Sequence, residues 1–422
     1  MTNPLPPRAT RRGFLGAAAG AMGSAALAAP ALATPPHLHH GPGLTAPGIE
    51  PFHGVHQAGI ATPAQQFLYF AVFDVTAEHR ADLVALLQRW TAAAARLTAG
   101  LPAQAGAGDD GPADGGSATG LGAQRLTLTF GFGAGLFSRD GVDRFGLAAR
   151  RPAALIDLPK FNGDQLLPEK CGGDLCIQAC ADNATVALNA VRHLLRLGQG
   201  VIAPRWAQPG FGSGGPAGET PRNLMGFKDG TMNPRSPADM DRHVWVGDDG
   251  GWMRGGSYLV ARPIRIALEH WDRVKLAFQE QVVGRHKASG APLGQRDEFE
   301  PMNLDATDAD GNPLIPENSH ARLAAPQLND GAQILRRAYS YDNGMAHIAE
   351  RWPPWRQGMM LDAGLMFLCW QRDPRSGFVR IFENMAKFDM MNQFVTHIGS
   401  GLFACPPGVR PGGYIGEGLF DA

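Results

Sequence analysis

The chain has 422 residues, of which 44% are hydrophobic and 18% charged, and a formal net charge of −1. This is an ordinary globular composition, with length for two or three domain-sized units. A near-neutral balance excludes proteins that bind nucleic acid or a membrane surface through bulk charge.

Residues 1–33 read as a leader and stand apart from the fold. Thr10-Arg11-Arg12-Gly13-Phe14-Leu15 matches the twin-arginine export pattern. The Ala/Gly-rich stretch from Gly16 to Ala29 is too short and too small-residued to span a bilayer well, and Ala31-Leu32-Ala33 offers a cleavage site. Loss of Arg8, Arg11 and Arg12 with the leader takes the charge from −1 to −4. A periplasmic or secreted location is therefore expected. Residues 34–62 form a Pro/Gly/His-rich linker and lead-in segment, carrying His37, His39, His40, His53 and His56. A solvated linker is the plain reading; a metal-collecting tail is the rival.

Two folded parts are expected, 63–245 and 246–422. In the first, Phe67–Phe73 reads as a buried strand. A helix follows from a cap at Thr76 to about Leu97, with Leu83, Leu86, Leu87 and Trp90 on one face. Ala103–Gly122 has nothing to bury and reads as a loop. Strands at Leu126–Phe132 and Leu175–Ala181, a helix at Ala184–Leu197 capped by Asp182, and a strand at Val201–Trp206 complete a β-α-β, β-α-β order. That order predicts a ferredoxin-like α+β sheet. The second part offers a strand at Gly256–Ile266 and a helix at Leu268–Val282 with Trp271, Val274, Phe278 and Val282 on one face. Strands at Ile334–Tyr341 and Leu365–Trp370, a helix at Phe388–Ile398 and a strand at Gly401–Ala404 follow.

The five cysteines, Cys171, Cys176, Cys180, Cys369 and Cys405, fit no zinc spacing, and their odd number leaves at least one thiol unpaired within a chain. Export permits a disulfide, but the sequence does not assign one. Buried thiols are the plain reading.

Three stretches bring together a carboxylate, an imidazole and a guanidinium. Asp229 lies between glycines in Gly226-Phe227-Lys228-Asp229-Gly230-Thr231, where Asp-Gly is also a common turn pair. His320 lies in Asn318-Ser319-His320-Ala321-Arg322-Leu323. Arg336 and Arg337 are neighbours in Leu335-Arg336-Arg337-Ala338-Tyr339-Ser340-Tyr341, and on a strand they face opposite sides.

Together these stretches resemble the dye-decolorizing peroxidases, over nearly the whole chain from about Pro51 to Gly418. The resemblance implies a duplicated ferredoxin-like fold of two antiparallel sheets with helices packed on them, and one haem b per chain in the C-terminal half. It implies that His320 is the proximal iron ligand, Asp229 the distal acid–base group that shuttles the peroxide proton, and Arg336 the cation that stabilises the departing charge. Arg337 is then expected to face elsewhere and to pair with an acid. Gly230 lets backbone approach the macrocycle, while Arg285 and Arg322 are candidates for the haem propionates. Glu383 is a candidate partner for the second nitrogen of His320. Ala338 stands where some members carry Asn, and Ala325 where relatives often carry Asn. Tyr339, Tyr341 and Trp370 are either core residues or electron relays.

Within the family, the leader and Pro51-Phe52-His53-Gly54-Val55-His56-Gln57 look like the exported subclass tied to ferrous-iron uptake by an Efe-type system. Its members are described both as peroxidases and as deferrochelatases. The implied activity is reduction of hydrogen peroxide with one-electron oxidation of organic donors, with iron release from haem as a further activity. Implied partners are peroxide, small organic reductants or porphyrins, iron-uptake proteins of the periplasm and a second copy of the chain. A haem carrier without turnover is the alternative; a charged distal pair argues against it. Chlorite dismutase, a third reading, lacks the G-x-x-D-G signature.

Overall fold

In the computed structural model, residues 48–104, 116–212, 218–349 and 357–421 are described. The leader, His37, His39 and His40 lie outside the described residues, as does much of the 103–122 segment; its described ends carry no helix or strand.

β1 (Phe67–Val75), β2 (Thr127–Gly133), β3 (Leu175–Ala181) and β4 (Ile202–Phe211) lie in the antiparallel order β4-β1-β3-β2. The helices Arg80–Thr98 and Ala184–Leu197 make the crossovers. Six more strands follow: β5 (Ser257–Ile266), β6 (Leu335–Arg336), β7 (Tyr339–Ala349), β8 (Gln357–Gln371), β9 (Val395–His397) and β10 (Gly401–Cys405). Four of them repeat the same order as β10-β5-β8-β7, with β6 added on β8 and β9 on β5. The chain thus has the duplicated ferredoxin-like α+β fold. The two sheets also meet edge to edge, β2 with β10 and β4 with β7, so eight strands close into a ring.

Side-chain alternation along each strand then sorts residues into a ring interior and an outer face. Leu68, Phe70 and Val72 of β1 pack inside with Cys176, Cys180, Trp206, Tyr339, Trp370 and Phe403. Ala71, Phe73 and Val75 face outward into the core under the N-terminal helices, where Leu83, Leu86, Leu87 and Trp90 are buried.

Local chemistry moved several expected boundaries. The first long helix does not start from Thr76, whose amide donates to Val201 O (2.8 Å) and stays in the strand connection. The cap of Ala184–Leu197 is Asn183 rather than Asp182: its side chain accepts from Thr185 N (2.9 Å) and Val186 N (3.4 Å). Asp182 pairs instead with Arg125 (3.3 Å). The expected helix 268–282 is two short pieces, Leu268–Trp271 and Leu276–Val283, and Phe278 is exposed. The helix expected at 388–398 lies earlier, at Arg380–Phe388. Asp389 ends it by accepting from Met391 N (2.8 Å), and β9 follows. None of the five cysteines is in a disulfide, and four are buried. Among the described residues no helix is long and apolar enough to cross a membrane.

The lead-in segment is tied to the C-terminal half. His56 Nδ1–H donates to Gly255 O (2.7 Å), and its ring stacks on Trp245 at 3.8 Å. His53 makes a bridge to Val409.

Candidate active site

Short, broken helices leave the outer face of the C-terminal sheet only partly covered. The space left is a cavity of about 1610 Å³ of empty volume, its open mouth included. Ile264, Leu365 and Phe367 form its sheet wall, and Ile381, Phe382 and Met385 of the helix Arg380–Phe388 add an apolar side. Asp229, Arg285, His320 and Arg336 also line it.

Asp229 and Arg336 meet, with Arg336 Nη1 3.3 Å from Asp229 Oδ1. Their two segments, a hundred residues apart in sequence, are clamped by Asn233. Its Nδ2 donates to Arg336 O (2.7 Å) and its Oδ1 accepts from Arg336 N (3.0 Å). Glu298 holds the Asp229 loop from behind, taking Lys228 Nζ (2.6 Å) and Thr231 Oγ1 (2.9 Å). Burial alone would raise the Glu298 carboxyl; bonds from Lys228, Thr220 and Thr231 outweigh it and hold the group below its ordinary value. The carboxylate–guanidinium pair therefore stands on a braced loop and a braced strand, one face turned to the cavity. Gly230 is not among the cavity-lining residues, and its role is conformational. It sits at φ +107°, a region open to glycine and strained for other residues.

His320 opens the short helix His320–Leu323, and its Nδ1–H donates to Asp389 Oδ2 at 2.6 Å. That bond fixes the tautomer and leaves Nε2 with a free lone pair, the arrangement of a metal-ligating imidazole. The partner is Asp389, not Glu383. Sixty-nine residues separate Asp389 from His320, and no local motif marked it. His397, also on the cavity wall, accepts from Arg262 Nε (3.0 Å), and Arg262 in turn pairs with the buried Asp164. Burial, Arg262 and His320 push His397 well below the usual histidine range, so this second imidazole is neutral.

Arg285 is buried and lines the cavity. Its Nη1 donates to Gly290 O (2.7 Å) and Glu298 O (3.0 Å), but its buried Nη2 has no partner. An unpaired guanidinium N–H at an apolar cavity is costly unless an anion completes it. The donor set thus fits a flat, apolar, carboxylate-bearing macrocycle whose metal His320 would hold. Arg322 is not part of this set. Its Nη1 is spent on Leu304 O (2.6 Å) and Ile315 O (3.2 Å), outside the cavity lining. Arg337 faces the ring interior as strand alternation requires. Its hydrogen bonds go to Thr62 O and Gln65 Oε1 rather than to an acid. Tyr339, Tyr341 and Trp370 are fully buried.

Comparison with known proteins gives the same picture. Residues 57–212 match the family model "Dyp-type peroxidase, N-terminal", and residues 220–410 match "Dyp-type peroxidase, C-terminal". The chain is 39% identical to the dye-decolorizing peroxidase of Thermobifida fusca over 390 residues, 86% of this chain and 84% of that one. It is 36% identical to the deferrochelatase of Escherichia coli K12 over 389 residues, covering 88% and 87%. Ferric DtpA from Streptomyces lividans superposes with a TM-score of 0.81 at 40% identity, covering 90% of this chain and all of that one. The chain belongs to the Dyp-type peroxidases and is a haem-dependent enzyme of that family.

Proposed function

We propose that the cavity binds one haem through His320 Nε2, that Asp229 and Arg336 carry the peroxide chemistry, and that the enzyme works outside the cytoplasm. The observation that carries this is the Asp229–Arg336 pair at 3.3 Å in the same cavity as a His320 whose tautomer is fixed by Asp389. Haem, when bound, supplies the iron that peroxide coordinates and the capacity to hold two oxidising equivalents. Asp229 would accept the proton from one peroxide oxygen and return it to the other. Arg336 stays protonated, holds Asp229 in place and stabilises negative charge as the O–O bond opens. Arg285 Nη2, buried without a partner, would hold a haem propionate. Asp389 holds the His320 ring through its hydrogen bond to Nδ1.

Export through the twin-arginine pathway rests on Arg11-Arg12 and the cleavage site at Ala33. Fractionation of cells making the parent and an Arg11→Lys/Arg12→Lys variant tests it: parent protein outside the cytoplasm, and variant retained, is the expected result. Iron release rests on the deferrochelatase relatives. Its test is the appearance of metal-free porphyrin fluorescence from haem-loaded protein. Peroxide-driven oxidation of a dye by the haem-loaded chain tests the main reading. Stoichiometric haem with no turnover would move the protein to a carrier.

A further inference from the structure

The ring interior holds reactive groups that peroxide chemistry at the haem does not use. Cys180 on β3 and Tyr339 on β7 are both buried there, 0% and 2% exposed, and their side chains interact. Cys180, Leu68 and Gly210 stand in one cross-strand row over β3, β1 and β4. Gly210 contributes no side chain to that row. A Cβ added there would lie 2.9 Å from Tyr339 Cβ and 3.5 Å from Leu68 Cδ2. The missing side chain lets the phenol ring of Tyr339 lie along the row toward Cys180. Tyr339 Oη makes no hydrogen bond of ordinary distance and angle, yet it lies close enough to Cys180 and Arg337 to interact with both. Arg337, also buried, is the electrostatic neighbour of both the phenol and the thiol.

We propose that Cys180 and Tyr339 are a self-modification site, joined by a thioether when peroxide is turned over without an external donor. The new bond links Cys180 Sγ to the ring carbon ortho to the Tyr339 hydroxyl. The thiol S–H and that ring C–H break, and two electrons and two protons leave the pair. One hydrogen peroxide takes them up and becomes two waters. The oxidant is the one the enzyme already uses, so the inference rests on the peroxidase activity. The guanidinium of Arg337 stabilises negative charge on either partner as its proton leaves, in surroundings where no water can do so. Tyr339 lies three residues from Arg336, which faces the haem cavity from the same segment.

A second thiol pair makes a useful contrast. Cys176 and Cys405 face each other across Gly131 of β2, where a Cβ would lie 2.8 Å from both sulfurs. Their strands are two steps apart, which sets the Cα atoms at about 9–10 Å, beyond disulfide reach. Burial holds the Cys176 thiol well above its usual pKa, so it stays protonated and inert.

The experiment exposes haem-loaded protein to a few equivalents of hydrogen peroxide without reductant and maps its peptides by mass spectrometry under thiol-reducing conditions. The expected product is a linked peptide pair holding Cys180 and Tyr339, lighter by two hydrogen atoms and stable to reductant. Excess ascorbate during turnover should suppress it, and Tyr339→Phe should abolish it. Recovery of both residues unlinked, while the haem spectrum responds to peroxide, overturns the inference and leaves the peroxidase reading standing. In a parallel map run without reductant, a mass loss confined to Cys176 and Cys405 that reductant reverses also overturns it. A haem spectrum that ignores peroxide removes the oxidant, and both readings fail together.

Discussion

The two halves of the molecule share one strand order and differ in what lies on the sheet. In the N-terminal half two long helices, Arg80–Thr98 and Ala184–Leu197, cover the outer face and fill it with Leu83, Leu87, Trp90 and Leu194. In the C-terminal half one equivalent crossover is broken, with Leu268–Trp271 and Leu276–Val283 replacing its helix. The other keeps its helix, a π-helical turn at Arg375–Val379 running straight into Arg380–Phe388. The same frame therefore yields a solid core on one side and a cavity on the other. What the connections lay on the sheet, rather than the sheet itself, makes room for the cofactor.

Substitutions at matched places should separate the halves. The largest effect is expected at the proposed ligand: His320→Ala should leave no stoichiometric haem after gel filtration, read by haem absorbance per chain, while the fold survives. Next comes the solid core. Trp90→Ala should cost about 3–5 kcal/mol of stability, because Trp90 is fully buried and its indole Nε1–H also donates to Leu194 O (2.7 Å). Phe367→Ala, on the cavity wall, should cost only about 1–2 kcal/mol in haem-free protein, because part of its surface already faces empty space. Denaturant midpoints of the two variants compare them directly. Equal losses would mean that the cavity half is packed as tightly as the other.

Asp389→Asn keeps the shape but weakens the hold on His320. Haem affinity should fall by about 10–100-fold, measured by haem transfer to an acceptor protein. The smallest effect is in pH. His397 is neutral in the fold and has its ordinary value when unfolded, so below about pH 6.5 the unfolded chain binds the extra proton. Stability of the haem-free protein should therefore drop as pH falls through that point, by about 1.4 kcal/mol per pH unit for one proton. His397→Phe should flatten that slope. The buried Asp164, held above its usual value by burial despite Arg262, acts in the opposite sense, from its raised folded value down to the ordinary carboxylate range.

Much of this architecture was legible from periodicity. Leu175–Ala181 and Ala184–Leu197 were read to the residue, because apolar runs there end at polar caps. The C-terminal helices were read less well. The run at 268–282 has helical spacing, but Asp272–Lys275 breaks it, and Phe278 turns to solvent. Asp229, His320 and Arg336 were singled out through local motifs, and the structure brings the three to one cavity. Asp389, His397, Asn233 and Glu298 act through partners dozens to more than a hundred residues away, so only the fold reveals what they do. Arg322 shows the converse: adjacency to His320 suggested a propionate role, yet its Nη1 goes to backbone carbonyls and the residue is not among the cavity lining.

The central claim is that Asp229 moves the peroxide proton. Asp229→Asn keeps size and a hydrogen-bonding group but removes the base, so haem binding through His320 should be unchanged. Stopped-flow absorbance after mixing haem-loaded protein with one equivalent of hydrogen peroxide tests it. The account predicts that the resting haem spectrum decays rapidly in the parent and about 10²–10⁴-fold more slowly in Asp229→Asn. Decay at the parent's rate in that variant would contradict it and shift the proton-transfer role away from Asp229.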